Sequence, residues 1–150
     1  ANGLVAPSSN SSQYARAIQL VMQRARLHPQ DIGYFSLDGQ AIPASDQGEA
    51  EALHIVFGSE LAHLPVSVPR TMLGHSYGAA GALDTITALL ALQHGIIPPT
   101  INCEELDPSY GLNLVQNEAH PLFQPAVLLA GRSIGGANVV LAIKKLVEER

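Results

Sequence analysis

The chain has a single cysteine, no tryptophan and few charged side chains, 14% of the total. Cys103 cannot close an internal disulfide, and it has no ligand-spaced cysteine or histidine around it, which excludes a disulfide scaffold and a zinc site. Five of the six histidines, His28, His54, His63, His94 and His120, show no i, i+4 pairing, so no metal is expected, and no cofactor either. Eight Lys and Arg against 13 Asp and Glu give a formal charge of −5. That balance excludes a phosphate-backbone binder, which needs clustered cations, and nucleic acid is not an expected partner. No run reaches the roughly 18 uninterrupted apolar residues of a membrane span, and the first residues lack a charged-then-apolar signal pattern. No membrane association is expected, and the expected location is cytoplasmic.

What the chain does have is apolar material. Hydrophobic residues make up 47% of its 150 positions, ample for one buried core. A mean hydropathy of +0.16 is high for so small a domain, so part of the apolar surface is expected to meet another chain.

The loop-like composition of residues 2–13 leads into a helical pattern that ends at Leu27, with Tyr14, Ile18, Val21 or Met22, and Ala25 on its apolar face. Residues 32–37 have the aromatic and β-branched content of a short strand. Asp46 with Glu49 three positions later reads as a capping box opening a helix that Gly58 stops. Residues 65–69 read as a short strand and 71–74 as a turn. Residues 77–94 are apolar nearly all the way round, which predicts a helix buried on several sides. A brief strand is expected near 112–115. Two buried strands are expected at 126–130 and 139–146, joined by a glycine-containing loop. The alternation predicts an α/β fold with a mixed sheet and a buried central helix, in more layers than 150 residues cover alone. No repeat or internal domain boundary is visible, and residues 1–150 read as one unit; the charged stretch 144–150 reads as a solvated tail.

Residues 38–53 begin Asp38-Gly39-Gln40-Ala41-Ile42-Pro43 and continue through Asp46, Glu49 and Ala52-Leu53. They resemble, without gaps, the β-ketoacyl synthase segment that begins His-Gly-Thr-Gly-Thr-Pro. Gly74-His75-Ser76-Tyr77-Gly78-Ala79-Ala80-Gly81 is similar to that family's Gly-His-x-x-Gly-Ala-Ala-Gly. It precedes the long helix and Gly95-Ile96-Ile97-Pro98-Pro99-Thr100-Ile101-Asn102. Gly135-Gly136-Ala137-Asn138 is similar to the end of the family loop Gly-Phe-Gly-Gly-x-Asn. The four motifs stand in family order across about residues 31–146. The resemblance implies a thiolase-like αβαβα sandwich of two similar halves, of which this chain is the C-terminal half and from which the N-terminal half is absent.

The resemblance also implies a chemistry, and the chain departs from it. Condensation in the family uses a thiolate from the first half and two histidines that polarise the extender thioester. Asp38 stands where one histidine belongs, and an ordinary carboxylate repels a developing enolate oxygen instead of donating to it. His75 matches the second histidine, while Arg70 replaces a lysine and Ile134 replaces the phenylalanine that gates the acyl pocket. The degenerate active-site positions are thus Asp38, Arg70 and His75. The substrate-tunnel or gate loop is Ser133, Ile134, Gly135 and Gly136, and Asp46, Glu49 and Asn138 are structural. Val68-Pro69-Arg70-Thr71-Met72, Ala82-Leu83-Asp84 and the Arg132 loop are similar to the chain-length-factor subgroup, the β subunits of type II polyketide synthases. Retention of His75 is unlike that subgroup. The resemblance implies a non-catalytic subunit whose partners are its own N-terminal half, a catalytic ketosynthase in a heterodimer, and acyl carrier protein. One alternative is the C-terminal half of an active β-ketoacyl-ACP synthase in which Asp38 replaces the histidine. The other is a serine hydrolase, because residues 74–78 also fit Gly-x-Ser-x-Gly, with Ser76 as nucleophile, Asp107 orienting and His120 as base.

Overall fold

The computed structural model describes residues 11–146, so most of the expected loop at 2–13 and the end of the expected tail at 144–150 lie outside the described residues. Helix α1, Ser11–Ala25, is followed by strand β1, Ile32–Ser36, helix α2, Pro43–Phe57, and strand β2, Pro65–Ser67. Helix α3, Ala80–His94, then leads through short strands β3, Ile96–Ile97, β4, Asn113–Leu114, and β5, His120–Pro121, to the long hairpin of β6, Ala126–Arg132, and β7, Asn138–Lys144. Five strands form one sheet in the order β4-β2-β1-β6-β7. The first four run parallel and β7 is antiparallel to β6. This is the mixed α/β sheet expected from the alternation of elements.

Side chains along a strand point alternately to opposite faces, and β1 and β6 use that period to serve two cores. Phe35, Ala126 and Leu128 join Tyr14, Ile18, Leu53 and Phe57 beneath α1 and α2. Tyr34, Val127 and Leu129 join Ala88, Ala91 and Leu92 of α3 on the other face. Phe35 meets Phe57 edge to face, with centroids 6.4 Å apart, the arrangement that the ring quadrupoles favour.

Two expectations need correction. Helix α2 does not begin at Asp46. It begins at Pro43 with Ile42 in the capping position and no side-chain cap, because proline supplies a helix-ready φ and has no N–H to satisfy in the first turn. Asp46 and Glu49 therefore sit inside the helix and turn back to the incoming loop. Asp46 accepts from the Gln40 N–H at 3.0 Å. Glu49 accepts from the N–H groups of Asp38 and Gly39 and from the Tyr14 hydroxyl.

The second correction concerns α3, which is buried on one flank only, through Ala80, Asp84, Ala88, Ala91 and Leu92. Ile86, Leu89 and Leu90 remain about half exposed, because within the described residues the helix has a sheet beneath it and nothing above. Val139 and Leu141 of β7 are exposed as well. The helix stops where expected, at Gly95 in the left-handed conformation with φ 67°. No helix among the described residues is long and apolar enough to cross a membrane.

Candidate functional site

The parallel strands β1, β2 and β6 all end at the same edge of the sheet, the edge where open α/β sheets place their ligands. Asp38 follows β1, Arg70 follows β2 and Arg132 is the last residue of β6. They meet in a chain of buried charges. Asp38 Oδ1 accepts from Arg70 Nη1 at 2.5 Å, and its Oδ2 accepts from Gln40 Nε2 at 2.7 Å with Arg132 Nε 3.7 Å away. On its far side Arg70 grips Asp84 of α3, its Nε lying 3.1 and 2.9 Å from the two carboxylate oxygens. Arg132 donates to the backbone carbonyl and hydroxyl of Ser45, lies 3.8 Å from Glu49 and stacks its guanidinium 5.2 Å from the centroid of the Tyr14 ring. The order is Asp84, Arg70, Asp38, Arg132, Glu49, with carboxylates and guanidiniums alternating. Unpaired charges at this depth would be prohibitive; alternation is what makes the burial tolerable.

Proton affinities follow from the same packing. Burial works against the Arg70 charge, but its hydrogen bonds to Asp84 and Asp38 outweigh that and push the guanidinium above its ordinary value. Burial raises Glu49 above the usual carboxylate range, outweighing the opposing effects of Arg132 and of the N–H groups of Gly39 and Asp38. Between the ordinary and the raised value the folded chain keeps a proton that the unfolded chain has released. The contribution of Glu49 to stability is therefore greatest on the acid side of that window and declines as pH rises through it. Glu49→Gln abolishes this titration. In urea unfolding the stability of the parent minus that of the variant should fall as pH rises above the ordinary carboxylate value, and a difference that stays constant with pH contradicts the assignment.

The loop carrying Asp38 depends on Gly39, whose φ is +49° and where an added Cβ would lie 2.5 Å from Val68 Cγ1. Gly39→Ala combines backbone strain with overpacking and should cost about 1–3 kcal/mol, read from the denaturation midpoint.

A cleft of about 940 Å³ opens above the charge chain, bordered by Asp38, Arg70, His75, Arg132, Ser133 and Ile134. The sequence-predicted positions thus share one cleft but not one depth. Asp38 is at the buried floor, 2% exposed, whereas His75 is exposed at the rim, its ring edge to face with the exposed Tyr77. The 133–136 loop is exposed, with Gly135 and Gly136 at φ near +80°. It is pinned by the Ser133 N–H to Ala137 and by Asn138 Nδ2 donating to the Gly136 carbonyl.

Sequence reasoning did not single out Gln40, Tyr14 or Asp84 as members of the network. Asp84 had a legible signal, as the only carboxylate in the apolar run 77–94. The alternative hydrolase triad does not assemble. Ser76 precedes the N-terminal end of α3, His120 pairs with Ile97 beyond the C-terminal end, and a 15-residue helix separates them, about 22 Å of rise against the 3 Å or so that proton transfer requires. Asp107 is exposed and caps a short turn, accepting from the Ser109 N–H.

Residues 1–104 match the family described as Beta-ketoacyl synthase, C-terminal domain. The chain is 37% identical over 131 residues to the tetracenomycin polyketide synthase ketoacyl synthase beta subunit of Streptomyces glaucescens, covering 87% of this chain and 32% of that protein. It is 33% identical over 142 residues to 3-oxoacyl-[acyl-carrier-protein] synthase 2 of Staphylococcus aureus, covering 95% of this chain and 34% of that protein. Its fold superposes with a TM-score of 0.87 on the ishigamide ketosynthase/chain length factor, at 36% identity, covering 92% of this chain and 34% of that one. The chain spans about a third of the length of the curated relatives it matches. With a mixed sheet of the thiolase-like kind, the family motifs in order and these similarities, the chain belongs to the β-ketoacyl synthase family and corresponds to its C-terminal domain.

Proposed function

We propose that this chain is the C-terminal half of a non-catalytic subunit of a type II polyketide synthase. In this reading the subunit pairs with a catalytic ketosynthase and shapes the tunnel into which a polyketide grows from acyl carrier protein. The observation that carries the reading is the engagement of Asp38. Both of its carboxylate oxygens are taken by donors, Arg70 on one and Gln40 on the other. Condensation needs a donor aimed at the emerging enolate oxygen from this position. Here the position holds an acceptor, buried and turned toward guanidiniums. The similarity to a ketoacyl synthase beta subunit supports the same reading.

The uncovered surface fits as well. The exposed apolar residues of α3, Ile86, Leu89 and Leu90, are the area against which an N-terminal half would pack. The cleft walls are mostly apolar, with Leu129, Val139, Leu141 and Ile42 among them, so the subunit would select by shape and not by bond chemistry.

A second reading, the C-terminal half of an active synthase, is favoured by the retained His75 and by the similarity to the staphylococcal enzyme. One experiment separates them. The complete subunit containing this chain is incubated without its partner with a radiolabelled acyl thioester of acyl carrier protein. No covalent label is expected on the subunit, and label should appear on the ketosynthase when that is added. A stable acyl thioester on the lone subunit would establish the second reading.

A further inference from the structure

We propose that Arg70 sets the width of the cleft and, through it, the length of product released by the assembled synthase. This rests on the reading of the chain as part of a chain-length subunit.

Arg70 binds three separate elements, and each supplies a wall or the floor of the cleft. Its Nη1 donates to the backbone carbonyl of Asp38 at 3.2 Å as well as to the side chain, which fixes the floor. Nε and Nη2 hold Asp84 on α3, and Nη2 also reaches the Ala130 carbonyl on β6 at 3.5 Å. All three guanidinium nitrogens are therefore engaged, and the planar fork fixes distances as well as charge. The side chain itself is only 11% exposed and borders the cleft.

The two ends of α3 are held differently. Ala88, Ala91 and Leu92 fasten its C-terminal part to Val127 and Leu129 through apolar packing. Its N-terminal part buries only Ala80 and Asp84. Both are short side chains, so no bulky apolar group sets the spacing between this end of the helix and the sheet. The spacing between the α3 wall and the β6 wall is left to the guanidinium. A lysine ammonium keeps the charge but cannot span three partners in one plane. Arg70→Lys therefore loosens the wall while keeping the charge count.

The test uses the full-length heterodimer with acyl carrier protein and extender thioester, with product lengths resolved by mass spectrometry. Arg70→Lys, and independently Asp84→Asn, which releases the same wall from its other side, should shift the ratio of longer to shorter products by on the order of tenfold. A purely structural role would lower total product without moving that ratio. Unchanged ratios in assembled variants, where product length still depends on this subunit, overturn the clamp and leave the chain-length reading standing. Product lengths that do not change when the subunit is omitted overturn the chain-length reading, and the proposed control of length with it. If Arg70→Lys fails to assemble, the ratio in Asp84→Asn decides.

Discussion

Arg70→Met should cost about 3–5 kcal/mol of stability, because removing one partner of a buried ion pair leaves the other charge uncompensated. Here it strands carboxylates on both sides. Asp84 is 6% exposed, and Arg70 is its ion-pair partner among the described residues; Asp38 is 2% exposed and would retain Gln40 and the longer contact with Arg132. Asp38→Asn should cost clearly less. It leaves each guanidinium a carboxylate, Asp84 for Arg70 and Glu49 for Arg132, and it brings the formal net charge of the network from −1 up to zero. The pairwise argument is checked by a cycle: Arg70→Met with Asp84→Leu should recover much of the loss, since replacing a buried pair by apolar groups is often close to neutral. Additive losses in denaturant titrations would show that Arg70 acts mainly through Asp38 or through packing, and not through Asp84.

The strands and helices were legible wherever a local period was strong. The face of α1 appears as read, with Tyr14, Ile18 and Met22 buried, and the stop at Gly58 appears with a positive φ. Reading failed where a residue serves a distant partner. Asp46 and Glu49 carry the spacing of a capping box, yet their acceptors go to Gln40, Asp38 and Gly39 in the preceding loop, because Pro43 already starts the helix. The charge chain was the hardest feature to foresee. Its members lie at 38, 49, 70, 84 and 132, brought together only by strands ending at a common edge, and no sequence period connects them. What the sequence did show was an anomaly at three of the five positions: a carboxylate where a histidine belongs at 38, a guanidinium where an ammonium belongs at 70, and a lone aspartate in an apolar helix at 84. Each has the same physical explanation. Once one charge is buried, its neighbours must change in a compensating way, so substitutions that look unrelated along the chain form one electrostatic unit.

Asp38→His should not confer condensing activity on the complete subunit assayed without its ketosynthase partner. The rate should stay at the uncatalysed background, although a single well-aimed donor at a developing oxyanion is worth about 100- to 1,000-fold in a working site. The environment accounts for this. The side chain at 38 points inward, within reach of Arg70 and Arg132 and with Gln40 over its outer oxygen, so an imidazole placed there meets two guanidiniums and presents no N–H to the cleft. A charged imidazolium is repelled, and a neutral ring accepts from Arg70 on the side where it would have to donate. Arg70→Lys together with Asp38→His relieves only part of this, since Asp84 still draws the cation toward α3, and in the proposed reading no thiolate is present to hold an acyl group. The measurement is release of labelled carbon dioxide from malonyl-ACP by the Asp38→His subunit, with the parent as baseline. Release at the parent rate is expected; a rise of 100-fold or more would mean that position 38 can reach the extender thioester and that the charge chain is a dispensable replacement for an active site still built to work.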